Sequence, residues 1–204
     1  MAYDVDRREQ PWTQRLPGAF TMVALSLVLL WGLEIVDSAM DGRLDGYGIR
    51  PRDVSGLDGI LFAPFLHAGF GHLFSNSIAF AVLGVTAYAA VSTARFLGVI
   101  AITMLSSGFG AWLFGAPNTL VVGASGVIFG LLGFLLFRGL AERSAGTITV
   151  SIMMLLVYGG TISGILPGAP YVSWQAHLFG FLGGAAAAFL LRSGRPTNNS
   201  WSLR

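Results

Sequence analysis

Residues 67–91 read HAGFGHLFSNSIAFAVLGVTAYAAV: His67, His72 and Asn76 stand at the head of a predominantly apolar stretch as long as a membrane span. Roughly 20 residues of helix cross about 30 Å of hydrocarbon, and Gly71–Val91 supplies them. The apolar residues are continuous rather than alternating, which favours a helix that satisfies its own backbone over a barrel strand. Polar groups at membrane depth are costly and turn toward a bundle interior or a water-filled cavity. The stretch therefore predicts a bundle of membrane helices with a polar site near one end.

Five further segments read the same way, namely Ala19–Val36, Phe96–Phe114, Val121–Phe137, Ile148–Leu166 and Val172–Leu191. The expected fold is an all-α membrane protein with six transmembrane helices. The first segment reads as an uncleaved helix, because its apolar run is longer than a signal-peptide core and no cleavage site stands out around Ser38. Composition agrees: 54% of the 204 residues are hydrophobic and 11% charged, and mean hydropathy is +0.69. The formal charge of +2 rests on arginine alone, scattered rather than set in a stripe, so no nucleic-acid partner is expected. With no cysteine there is no disulfide, thiolate nucleophile or Cys-ligated metal.

Arginine placement sets the expected orientation. Arg7, Arg8 and Arg15, Arg95, Arg138 and Arg143, and Arg192, Arg195 and Arg204 occupy alternate ends of the spans and make up nine of the twelve arginines. The loop from Asp37 to Phe70 has three against five acids, and the loops near Asn118 and Pro167 have none. The positive-inside bias puts both termini in the cytoplasm, with residues 1–17 as an arm, 18–192 as the membrane domain and 193–204 as a tail. The long first loop, broken by glycines and Pro51, lies outside, and its apolar stretch Ile60–Leu66 is suited to the interface.

On this topology His67 and His72 at the second span, Ser125 about one turn into the fourth and His177 about one and a half turns into the sixth share a layer about 5–10 Å below the outer face. His72 and Asn76, four residues apart, share a helix face and could together hold an oxyanion or act as interhelical glue. Ser125 lies between Gly123 and Gly126 near a helix amino end, where unpaired N–H groups receive negative charge, although Gly126 and Gly130 also suit a packing face. His177 shares a face with Gly180 and Gly184, a smooth surface that would let the sixth helix close on the fourth and bring imidazole to hydroxyl as a general base. The bland alternative is a packing seam with an incidental histidine. After Asp58 the sole acid is Glu142, at the opposite end of the bundle, so a Ser-His-Asp triad is not expected.

These residues resemble the rhomboid intramembrane serine proteases. His67-x-x-x-x-His72-x-x-x-Asn76, Gly123-x-Ser125-Gly126 and Ala176-His177-x-x-Gly180-x-x-x-Gly184 match that family's three signatures, in order, on the second, fourth and sixth helices. The resemblance implies a rhomboid-like bundle and a serine endopeptidase, with Ser125 as nucleophile, His177 as base, and His72, Asn76 and the Ser125 N–H as oxyanion donors. It implies no metal or cofactor, and transmembrane protein substrates cut within the lipid bilayer, here of a prokaryotic plasma membrane, with the site opening to the outer face. Two departures stand out: Phe129 occupies a position where tyrosine is common, and the Trp-Arg pair that some members carry in the first loop is absent, Arg50-Pro51-Arg52 being the nearest basic feature. The alternative within the family is an inactive binding or quality-control protein, which would lack the nucleophile or the base. A zinc-binding or transport role for His67, His72 and His177 has no carboxylate or repeat to support it.

Overall fold

The computed structural model describes residues 11–169 and 171–192. Arg7, Arg8, Arg195 and Arg204 of the expected arm and tail lie outside the described residues. The described chain is helical, with α1 Trp12–Ala39, α2 Gly59–Phe62, α3 Phe70–Ala90, α4 Thr93–Phe114, α5 Ser125–Glu142, α6 Ala145–Tyr158 and α7 Trp174–Leu190. A 3₁₀ segment, Gly159–Ile165, continues α6.

Among the described residues, five helices are long and apolar enough to cross a membrane: α1, α3, α4, α5, and α6 with its 3₁₀ extension. The expected sixth span, α7, is shorter at 17 residues. It starts at Trp174 rather than Val172 because Tyr171 holds φ +60°, outside the right-handed helical region, and the Ser173 hydroxyl then caps the helix by accepting from Ala176 N–H. The fourth span is likewise trimmed. Val121 is paired with Ile49 in an isolated antiparallel bridge and Gly123 sits at φ +119°, so helix begins only at Ser125. Ser125 is thus the first helical residue, not one turn in, and His177 lies within the first turn of α7. The first helix starts earlier than expected, at Trp12, and so takes in part of the expected arm.

The α5 helix is the hub, with α7, α4, α3 and α6 all packed on it. Leu131, Leu132, Phe134 and Leu135 are buried there, together with Val99 of α4 and Ala187 of α7. Water does not drive apolar helices together in lipid, so close van der Waals packing of small residues has to do it. The α5–α7 seam is built that way: a Cβ on Gly180 would collide with the Gly126 carbonyl oxygen, and one on Gly184 with that of Gly130. On the other side of α5, Gly130 faces Thr103 of α4. The α1 helix is tied to α3 where the Trp31 indole donates to Ser77 Oγ at 3.1 Å.

Both partners at the seam are backbone atoms and cannot rotate away. Gly184→Ala should therefore already lower the melting temperature in detergent, and Gly184→Val should lower it further, by the ~1–3 kcal/mol typical of overpacking. Equal melting of all three proteins would show that the seam is not closed as described.

Candidate active site

The first turns of α3, α5 and α7 meet at one end of the bundle, and local sequence explains why. The Ile49–Val121 bridge, with N–H to O distances of 2.9 and 3.0 Å, pins the first loop to the segment ahead of α5. Two residues on, Gly123 N–H donates to the Ala63 carbonyl at 2.8 Å. The positive φ at Gly123 suits glycine, and a Cβ there would lie 2.6 Å from His72 Cε1. That bend delivers Ser125 to the start of α5, where the cap residue Ala124 offers no side-chain acceptor to the first N–H groups.

Ser125 Oγ lies 2.8 Å from His177 Nε2. The His177 ring is buried and stacks on Phe129, with centroids 4.2 Å apart and planes 13° from parallel, so phenylalanine keeps the stacking without a hydroxyl. His177 Nδ1 faces the Gly164 carbonyl at 3.0 Å. His72 and Asn76 both reach toward Gly123 from α3. Asn76 is 7% exposed and its amide nitrogen has no hydrogen-bond partner among the described residues. Leaving a buried donor unpaired costs ~1–3 kcal/mol, and this one lies beside the Gly123 bend that leads into Ser125.

His67 is set apart from these. Its ring packs against His72 at 5.3 Å, and its Nε2 accepts the Ala124 N–H at 3.5 Å, a long bond that braces the bend before Ser125. Burial first, and the neighbouring His72 second, push the His67 imidazole down to about 4. Among the described residues no three His, Asp or Glu side chains are grouped to hold a metal ion.

The structure also shows residues that the sequence reading passed over. Glu34 and Asp37 share one face of α1 and are buried at 3% and 6% exposure. Asp37 Oδ1 accepts Leu44 N–H at 2.6 Å, fixing the start of the first loop. Burial, then the charges of Asp37 and Glu34, raise the nearby Asp45 carboxyl to about 6. An acid inside an apolar run was the available signal for Glu34. Gly164 carried none, because its contribution is a carbonyl.

A part-buried serine–histidine contact in a multi-pass helical membrane protein defines a narrow class. The Rhomboid domain family matches residues 55–194, and the chain belongs to the rhomboid family. An uncharacterized protein of Mycobacterium tuberculosis is 40% identical over 179 residues, 84% of this chain and 74% of its own. The rhomboid protease GluP of Bacillus subtilis is 28% identical over 195 residues, 91% of this chain and 36% of its own. RHOMBOID-like protein 4 of Arabidopsis thaliana is 33% identical over 140 residues, 65% of this chain and 33% of its own.

The His67 environment generates a pH prediction. Its folded pKa lies below the ordinary 6.5, so between about 6.5 and 4 the unfolded chain binds the proton that the folded one refuses. Its effect on stability is absent above that window and grows more unfavourable as pH falls through it. Glutamine can still accept from Ala124, so wild type should lose more thermal stability between pH 7 and pH 5 than His67→Gln does. Parallel losses would show that His67 is not buried neutral.

Proposed function

We propose that this protein is an intramembrane serine endopeptidase that cuts transmembrane protein substrates with a Ser125–His177 dyad. The observation that carries the reading is the 2.8 Å contact between Ser125 Oγ and His177 Nε2 at the part-buried mouth of the α5–α7 seam. In this mechanism Ser125 attacks the scissile carbonyl carbon as its hydroxyl proton passes to His177. The tetrahedral oxyanion is received by His72, the unpaired Asn76 amide and the Ser125 N–H. The bond to the leaving amine breaks as His177 returns the proton, and water then hydrolyses the acyl-enzyme by the same route. No carboxylate enters the scheme, since His177 Nδ1 faces the Gly164 carbonyl and Glu142 is paired with Arg138 at 3.0 Å at the far end of α5. An inactive family member would lack the nucleophile or the base, and this chain has both.

On this reading residues 18–192 form the protease domain, flanked by an arm, 1–17, and a tail, 193–204. The α7 helix serves as the sixth span, buried enough against α4 and α5 that roughly 25 Å of helix suffices. The arginine bias supports cytoplasmic termini and a site that opens to the outer face. A cysteine at Asp41 or Thr119, both exposed, should react with an impermeant thiol reagent from outside intact cells, and one at Ala145 should not. The reverse pattern inverts the orientation.

With purified protein and a single-pass substrate, Ser125→Ala and His177→Ala should each abolish cleavage without unfolding, and the double variant should be little worse than either. His72→Ala and Asn76→Ala should each lower kcat by ~10²–10³. Undiminished turnover by Ser125→Ala would sink the protease reading. Normal turnover with a lowered melting temperature in the His72 and Asn76 variants would return those residues to the role of glue.

A further inference from the structure

A serine–histidine dyad needs its imidazole held with the lone pair toward the serine. In a neutral imidazole one nitrogen carries the proton, and the hydrogen bond made by the other face decides which. His177 Nδ1 lies 3.0 Å from the carbonyl oxygen of Gly164. A carbonyl only accepts, so Nδ1 is the donor and carries the proton. That leaves the lone pair on Nε2, 2.8 Å from Ser125 Oγ, where it can take the hydroxyl proton.

The carbonyl sits on an unusual support. Gly159–Ile165 is a seven-residue 3₁₀ segment, longer than the three or four residues such helices normally sustain, and none of its residues is buried. It joins α6 through Gly159 and Gly160, and the whole span from Ala145 to Ile165 buries very little of itself. The side-chain bonds that tie α6 to α5 lie well before the 3₁₀ segment: Ser151 Oγ donates to the Leu135 carbonyl at 2.7 Å and accepts from Gly139 N–H at 3.1 Å. Near the site the segment is seated by Ile162, packed against the main core, and by the bond to His177. Gly164 is also fitted to the ring stack, since a Cβ would lie 2.8 Å from Phe129 Cζ and 3.5 Å from His177 Nδ1.

We infer that Gly164 is a positioning residue for the Ser125–His177 reaction: its carbonyl, on the seated 3₁₀ segment, fixes His177 as the Nδ1–H tautomer, the task a carboxylate performs in a three-membered site. The inference rests on the dyad reading. It makes the site competent only while the segment is seated against α7, because lifting it frees Nδ1 and releases the choice of tautomer.

The test uses the full chain in detergent with ring-¹⁵N-labelled histidine. The three histidines are assigned from His67→Gln and His72→Gln spectra. Neutral His177 should show a protonated Nδ1 and a bare Nε2. Gly164→Ala, whose methyl presses on Phe129, should give mixed tautomers and a kcat lower by about 10²-fold with KM little changed, as for a base displaced by ~1 Å. Gly164→Ala combined with Phe129→Leu makes room for the methyl and should recover both readouts relative to Phe129→Leu alone. An Nε2-protonated His177 in active wild type overturns the inference even if Gly164→Ala fails to fold. So does a Gly164→Ala protein that loses rate with the tautomer unchanged, shifts tautomer without losing rate, or changes in neither. Loss of the dyad itself is recognised separately, by turnover that survives Ser125→Ala.

Discussion

The close approach of α5 and α7 is the constraint on which the rest of the site depends. Gly126 and Gly130 of α5 meet Gly180 and Gly184 of α7 with no side chain between them, so the two backbones pack as near as carbonyl oxygens allow. A hydrogen bond between a serine on one helix and a histidine on another requires that separation, because neither side chain is long. Apolar attraction cannot hold helices together in lipid, and dispersion between closely set backbones is what remains. The same glycines that look like a structural seam are thus what puts Ser125 Oγ within 2.8 Å of His177 Nε2.

A second set of contacts shapes the approach to Ser125. The first loop reaches in through the Ile49–Val121 bridge and the Ala63 carbonyl, while His67 braces Ala124. Gly123 then turns at a φ that favours glycine, with His72 and Asn76 close by. His67 braces the backbone at Ala124, while His72, five residues on, lies against Gly123. The Asn76 amide nitrogen has no hydrogen-bond partner among the described residues and faces the Gly123 bend.

Much of this was legible in the sequence because the signals were strong where they mattered. Apolar runs are long in α1, α3 and α4, and polar side chains inside such runs single out His72, Asn76 and His177. Helix starts were less legible. Val121 and Val172 are as apolar as their neighbours, yet a backbone bridge at Val121 and a left-handed Tyr171 keep them out of α5 and α7, and neither feature has a sequence signature. Glu34 was visible as an acid in an apolar run but was outweighed by the histidines. The Gly164 carbonyl could not have been read, since any residue has one and only the fold aims it at His177.

The central claim is that Ser125 is a nucleophile made reactive by His177, and active-site labelling tests it without knowledge of the substrate. When purified protein is treated with a fluorophosphonate, Ser125 Oγ should attack phosphorus and expel fluoride from the reagent, and mass spectrometry should find a single phosphonyl adduct on the peptide that contains Ser125. The same adduct should be absent from His177→Ala, which keeps the serine and loses its base. No adduct on the folded wild-type protein, an adduct on a different serine, or equal labelling of His177→Ala would contradict the account.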